Sequence, residues 1–493
     1  MSSISGRLDP PLLRMVTVVL LGGLLGILNS TMSAVATDTL ATALDTSLST
    51  VGWASTGFLL AVTATIPFTT WAVDRFGGKQ LWLTGLLLFV AGSLAAGLAW
   101  NVGSLITFRT LQGVGAGLLD PLVLILLARA AGPHRAGRVM GLMGLVLSLG
   151  PVLGPIAGGV VLANLSWRWM FLLSVPVGAI AYLLARRVLP QDVPAEPGQT
   201  RFRLDVLGLA LLAPGLAAVV LALSQTAEHA AFTAWQALTP LALGVVLLVG
   251  YTVHALRARR SPPLINLRLF ANGGFTASVT IMGLGGMASF AALFALPLYY
   301  QQAHGHGALA AGLLLAPFGL AGAIAMPLAG RLSDRVGARG LAASGAIVAG
   351  TSGLVFTQIT ANSPKGWPVL AAFTIGIGAA LFSAPTMGSL YRTLPASMVA
   401  QGSSVLYMLN QLGAALGIAL VTLIIQTASD PIAGFHNVFW LVVAVTLVIL
   451  AAVPLLPGRP QPPAATAHPP RPDDTVVIVG RDRETPGDLD TRT

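Results

Sequence analysis

The sequence predicts an all-α integral membrane protein. Three observations carry that reading: too few charges for a water-facing surface, fourteen apolar blocks of spanning length, and basic residues concentrated in every second connection between those blocks. Of 493 residues only 9% are charged and 55% are hydrophobic, against about 25% charged in an ordinary soluble protein. The mean hydropathy of +0.81 points the same way.

A crossing needs about 20 mostly apolar residues. Blocks of that kind lie near 15–37, 50–72, 80–100, 103–128, 138–163, 169–186, 205–226, 235–256, 274–301, 308–330, 340–360, 367–390, 401–427 and 434–456. The first block is long and lacks a small-residue cleavage site, so it is expected to stay as a span rather than leave as a signal. Arg7 and Arg14 precede it. The later basic residues sit in alternate connections: Arg75 and Lys79; Arg129, Arg135 and Arg138; Arg186, Arg187, Arg201 and Arg203; Arg257, Arg259, Arg260 and Arg268; Arg331, Arg335 and Arg339; then Arg392. The other side offers only Arg168 and Lys365. The positive-inside rule then puts both termini in the cytoplasm of a multi-pass inner (cytoplasmic) membrane protein. It also accounts for the net charge of +10 without a nucleic-acid partner, since the basic residues are scattered singly between apolar blocks. With no Cys, a disulfide scaffold, a zinc–cysteine site and a thiol nucleophile are excluded.

One loop occurs twice. Asp74-Arg75-Phe76-Gly77-Gly78-Lys79 follows the second block, and Asp334-Arg335-Val336-Gly337-Ala338-Arg339 follows the tenth. Each places an acid and a base beside the membrane and then a Gly for a tight turn. Two such loops at matched places predict two pseudo-symmetric six-helix halves, the repeat design of many secondary transporters. The expected organisation is a cytoplasmic N-terminus over 1–14, a half over 15–187, a linker over 188–204, two inserted helices over 205–256, a linker over 257–273, a half over 274–456 and a disordered cytoplasmic tail over 457–493.

In the fifth block Gly150, Gly154 and Gly158 recur every four residues and form a small-residue face for close helix approach. Pro151 and Pro155 remove backbone donors beside it, and Gly159 extends the run. In the fourth block Arg109 and Asp120 are eleven residues apart, which at 100° per residue leaves about 20° between them. A charge at a helix centre costs about 2.5–3.5 kcal/mol on insertion scales. A hydrated stripe of Arg109, Gln112, Ala116 and Asp120 facing a cavity is therefore expected. In the first block Asn29, Ser33 and Thr37 make a polar stripe, with Asp38 at its far end facing elsewhere. Trp53, Phe58, Tyr299, Gln302, Tyr407, Asn410 and Gln411 are candidate cavity residues, Tyr407 and Gln411 sharing a helix face. Each of the aromatic ones also reads as an interfacial anchor or packing residue. His304 and His306 lie in an outer loop and read as solvated rather than metal-binding, so no metal is expected.

The chain resembles the major facilitator superfamily, and within it the fourteen-helix drug:proton antiporters of the EmrB/QacA type. The likeness covers residues 12–456. It rests on the twin loops, on Leu105-Ile106-Thr107-Phe108-Arg109-Thr110-Leu111-Gln112-Gly113, on Gly150-Pro151-Val152-Leu153-Gly154-Pro155-Ile156-Ala157-Gly158-Gly159, which is similar to an exporter signature, and on Trp167-Arg168-Trp169-Met170-Phe171. The resemblance implies the major facilitator fold with two helices inserted between the halves, and no catalytic site. It implies a proton-coupled exporter of small apolar or cationic compounds such as drugs, antibiotics and dyes. Asp74, Arg75, Gly77, Lys79, Asp334, Arg335, Gly337 and Arg339 are implied to form cytoplasmic latches, and Arg109 to be functional.

One departure stands out. The family usually carries an acid within Leu28-Asn29-Ser30-Thr31, and an amide holds no proton to exchange. If coupling persists, Asp120 is the first candidate proton carrier and Asp38 the second, with Arg109 and Asn29 completing the coupling set. A fixed ion pair is the competing reading of Asp120. The expected partners are a small-molecule substrate, protons and the lipid bilayer, with no cofactor beyond the proton gradient and the chain acting as a monomer. An exporter or facilitator of a single endogenous metabolite, with altered or no proton coupling, is the alternative function. No phosphate-binding Gly-x-x-x-x-Gly-Lys-Ser/Thr loop and no nucleophile–base constellation point to an ATP-driven pump or a membrane enzyme.

Overall fold

The structure, a computed structural model, describes residues 9–132, 135–192, 203–258, 262–305, 307–358, 366–428 and 430–457. The expected tail, His306, Lys365, Arg7, Arg201, Arg259 and Arg260 therefore lie outside the described residues, apart from Pro457 of the tail. Among the described residues there is no strand.

The helices in chain order are α1 (Pro10–Val35), α2 (Thr37–Ala43), α3 (Leu48–Phe76), α4 (Gly78–Gly97), α5 (Val102–Ala131), α6 (Ala136–Asn164), α7 (Trp169–Leu172) and α8 (Ser174–Val188). They continue with α9 (Val206–His229), α10 (Trp235–Arg257), α11 (Gly273–His304), α12 (Ala308–Val336), α13 (Arg339–Phe356), α14 (Gly366–Thr393), α15 (Val399–Thr427) and α16 (Pro431–Ala452). Fourteen spans among them are long and apolar enough to cross a membrane, α7 and α8 together making one. The first helix begins at Pro10, five residues before the expected block, because proline at a first helical position sacrifices only a donor that has no partner there anyway.

Local sequence sets the helix starts. Ser47 accepts from the Thr50 amide at the start of α3, and Asn101 and Ser104 form a reciprocal capping box at the start of α5. Asp205, Asn272 and Asp430 cap α9, α11 and α16 in the same way. The helix-breaking power of proline is contained: α3, α5, α6, α12 and α14 each carry internal proline and run on. Neighbouring helices and hydroxyl side chains can satisfy the backbone groups that proline frees.

Packing partners repeat. In the first half α5 packs on α3 and α4, α6 on α1, and α8 on α1 and α4. In the second, α14 packs on α12 and α13, α15 on α11, and α16 on α11 and α13. The halves meet through α6 against α12 and α14, and through α15 against α3 and α5. Glycine permits the closest of these approaches in both halves. A Cβ on Gly113 of α5 would strike the Phe58 carbonyl of α3, and one on Gly376 of α14 would strike the Phe318 carbonyl of α12. The pair α9–α10 is packed chiefly on itself, with α9 also lying against α3 and α15. Arg75, Lys79, Arg129, Arg135, Arg186, Arg257, Arg339 and Arg392 all lie at or near helix termini on one side of the bundle, called here its basic end.

Candidate functional site

A cavity of about 450 Å³ lies between the halves, lined by the middle turns of α1, α3, α5, α6, α11, α12, α14 and α15, with Ser224 added from α9. Asp120 is the one acidic side chain among the described lining residues, and they include no Lys, Arg or His. Tyr407, from the other half, lines the same cavity, and its side chain interacts with that of Asp120. Gly26 of α1 leaves room beside it: a Cβ there would stand 3.7 Å from Asp120 Oδ1. Asn410 donates to the Met282 carbonyl at 3.0 Å, so its own carbonyl remains for the cavity. Of the expected cavity residues, Phe58, Tyr407, Asn410 and Gln411 are lining residues.

The expected stripe on α5 divides. Ala116 and Asp120 reach the cavity, but Arg109 and Gln112 are fully buried within the first half. Arg109 Nη1 donates to Asn29 Oδ1 at 2.6 Å and to Gln112 Oε1 at 2.7 Å. Gln112 Nε2 donates to Ser93 Oγ at 3.0 Å, and Ser93 Oγ to the Phe171 carbonyl at 2.9 Å. Asn29 Nδ2 donates to Ser174 Oγ at 3.2 Å. The guanidinium lies 4.3 Å from the Phe58 ring centre and 5.5 Å from that of Phe171, while its Nε and Nη2 have no hydrogen-bond partner. The division has a physical cause. Angular position around a helix is shared over its length, whereas at the height of Arg109 the neighbouring α1, α3, α4 and α8 close around α5. Amides, hydroxyls and ring faces solvate the charge in place of water.

Other expected residues fall elsewhere. Asp38 is exposed on the short helix α2, away from the cavity. Trp53 is 40% exposed, and Gln302 is exposed. Tyr299 is buried against Tyr300, Phe435 and His304, whose Nε2 lies 3.0 Å from the Tyr299 hydroxyl. None of these four lines the cavity; the two aromatic ones anchor or pack.

At the basic end both twin loops turn at a glycine with φ near 90°, Gly77 and Gly337. In each half the loop acid meets an arginine from the end of the corresponding helix: Asp74 with Arg129 at 2.8 Å and Asp334 with Arg392 at 3.1 Å. The pairs then differ. Asp334 also accepts from the backbone amides of Gly137 at 3.0 Å and Arg138 at 2.9 Å, capping the start of α6 in the opposite half. The Asp74 pair stays within its own half and is exposed. Lys79 donates from Nζ to the Leu189 carbonyl at 2.8 Å, and Arg339 from Nη2 to that of Leu456 at 2.8 Å. Arg75 and Arg335 are exposed. Thr70 donates to Ser404 at 2.7 Å, a second bond between the halves at this end.

The glycine face of α6 packs on α1. Gly150 faces Ile27, Gly154 faces Thr31 and Gly158 faces Met32. Pro151 lines the cavity, Pro155 lies towards Gly312 of α12, and Gly159 is half-buried. Sequence reasoning missed Ser30, Ser55, Ser224, Ser289 and Ser383 in the lining. Single serines in apolar helices carry no pattern that would have marked them. It also missed Asp192, which accepts from the Lys79 and Gln80 amides at 3.0 Å each and so caps α4 over Gly77.

Residues 19–418 match the Major Facilitator Superfamily. The multidrug resistance protein B homolog of Mycobacterium tuberculosis is 34% identical over 421 residues, covering 85% of this chain and 77% of that one. The riboflavin transporter RibZ of Clostridioides difficile is 28% identical, covering 82% of this chain and 86% of that one. Among solved structures, the proton:xylose symporter XylE bound to 6-bromo-6-deoxy-D-glucose superposes with a TM-score of 0.65 at 14% identity, over 89% of this chain and 94% of that one. That likeness concerns the fold alone.

Proposed function

Since the chain belongs to the Major Facilitator Superfamily of membrane transporters, we propose that it exports small apolar or cationic compounds, drugs and antibiotics among them, in exchange for protons by alternating access. The observation that carries this reading is Asp120, a lone carboxylate in a cavity between two halves. A carboxylate there can hold either a proton or the cationic group of a substrate, and mutual exclusion at one group is enough to couple opposite fluxes. The likeness to a multidrug resistance protein homolog supports the substrate class.

The basic end faces the cytoplasm on this reading, with both termini inside the cytoplasmic membrane. Asp334 and the Thr70–Ser404 bond hold that end shut, so the cavity addresses the outside. Opening inward requires Asp334 to release α6. The loops are the inward latches, the glycine face of α6 is the surface on which α1 and α6 move as a unit, and the chain works as a monomer.

A second reading keeps the same fold but makes the protein an exporter or facilitator of one endogenous metabolite, with altered or no proton coupling. Asn29 favours it, since the buried Arg109 is bonded to an amide that cannot titrate, and the likeness to a riboflavin transporter is compatible with it.

Ethidium efflux from energised cells overexpressing the protein, with and without a protonophore, separates the two. Protonophore-sensitive efflux above a vector control is expected. Efflux equal to the control in both conditions would favour the metabolite reading, and a comparison of secreted metabolites would identify its cargo. Asp120→Asn keeps size and removes the proton site, so it is expected to reduce concentrative export to the protonophore-treated level while substrate binding remains measurable. Full uphill export by that variant would remove Asp120 from the coupling.

A further inference from the structure

The cavity carries polar groups that the protein itself leaves unused. Hydroxyls within the spans usually turn back onto their own helix: Thr31 donates to the Ile27 carbonyl at 2.8 Å, Thr63 to that of Leu59 at 2.9 Å and Thr65 to that of Ala61 at 2.7 Å. Ser30, Ser55, Ser289 and Ser383 line the cavity and make no hydrogen bond within the protein among the described residues, and the amide of Gln411 is likewise unbonded. They come from both halves, on α1, α3, α11, α14 and α15. At membrane depth a polar group without a partner is costly. These five are therefore satisfied by water or by whatever occupies the cavity.

An apolar occupant would strip water from all five and return nothing. A solute whose own donors and acceptors replace the water fits best. Its charge must be positive, because Asp120 is the one charged side chain among the described lining residues. The carboxylate keeps accepting capacity beyond its interaction with Tyr407, and Gly26 leaves room beside it.

We propose that the cavity is a binding site for a protonated amine that also bears hydroxyl or amide groups, its N–H held by Asp120 and its polar groups by Ser30, Ser55, Ser289, Ser383 and Gln411. This rests on the exporter reading and narrows it, since a cation with no hydrogen-bonding group becomes a poor ligand. The preference for N–H donors arises because a carboxylate rewards a directed, charge-assisted hydrogen bond more than diffuse charge.

The test uses the purified full-length protein in detergent and two cations: spectinomycin, a compact hydroxylated diamine, and tetraphenylphosphonium, which has no hydrogen-bonding group. Calorimetric titration is expected to give at least tenfold tighter binding of spectinomycin. The double variant Ser55→Ala/Ser289→Ala is expected to weaken spectinomycin about tenfold or more, at about fivefold per lost bond, and to leave tetraphenylphosphonium unchanged. Asp120→Asn is expected to weaken both. Equal or tighter binding of tetraphenylphosphonium, or an unchanged spectinomycin affinity in a double variant whose thermal melt matches the parent, would overturn the proposal while leaving a cation exporter standing. Binding of neither cation would overturn it too, and ethidium efflux from the same expressing cells then decides separately whether the exporter reading survives.

Discussion

Asn29 gives the buried Arg109 an acceptor but no countercharge. Asn29→Asp puts a carboxylate 2.6 Å from the guanidinium nitrogen with little change in size. The variant turns a hydrogen bond between a cation and a neutral amide into one between two opposite charges, which is stronger, so it should bind α1 to α5 more firmly and add a second acidic group. The pH profile of efflux in the variant is expected to differ from that of the parent. Superimposable pH profiles would mean that the Asn29–Arg109 contact is indifferent to protons. The sequence made Arg109 and Asp120 conspicuous and set both on one cavity-facing stripe. A helical wheel sets Arg109 beside Asp120, yet eleven residues are about 16 Å along a helix, and only tertiary packing reveals that one end of that line is sealed and the other opens into the cavity.

Among the elements, α12 and α3 end in near-identical loops that act on different targets. Asp334 caps α6 across the interface, while Asp74 remains with Arg129 in its own half. Losing a helix cap costs about 1 kcal/mol, close to a fivefold change in a two-state population. In a background carrying Ser404→Cys, which is otherwise free of cysteine, Asp334→Asn should raise labelling by a membrane-impermeant maleimide from the basic end severalfold. Asp74→Asn should raise it little, and equal effects would deny that the latches differ. On α9, Ser224 lies 3.4 Å from Thr56 of α3, hydroxyl to hydroxyl. The pair Thr56→Cys/Ser224→Cys should crosslink under oxidant and slow efflux at least tenfold, reversibly with reductant; a crosslinked protein that transports normally would make α9 a static wall. Gly154→Leu forces a side chain into Thr31 of α1; overpacking of this kind costs about 1–3 kcal/mol and should impair transport at normal expression. The twin loops and the glycine face were readable as patterns. Their targets were not, because a cap or a packing partner belongs to another helix whose approach no local spacing records.

At the scale of the molecule, hydropathy and the alternation of basic residues were enough to find every span. The twin loops were enough to suggest a duplication, since insertion into a membrane imposes length and charge rules that act directly on sequence. The cavity was half legible. Tyr407, Asn410 and Gln411 are unusual enough in an apolar helix to be noticed, whereas its serines and glycines are ordinary residues drawn together from distant helices. The enclosed guanidinium has an electrical consequence. Arg109 carries a charge that no acid among the described residues cancels, and it is fixed to one half of the bundle. In the alternating-access cycle proposed above that half rocks, and the charge would be displaced within the bilayer's electric field, where a full traverse is worth about 2.3 kcal/mol per 100 mV. The turnover should therefore respond to voltage even when cargo and proton charges balance. A potassium diffusion potential set with valinomycin across proteoliposomes at equal internal and external pH is expected to alter the efflux rate, and an unchanged rate at either polarity would mean that Arg109 holds its depth throughout the cycle.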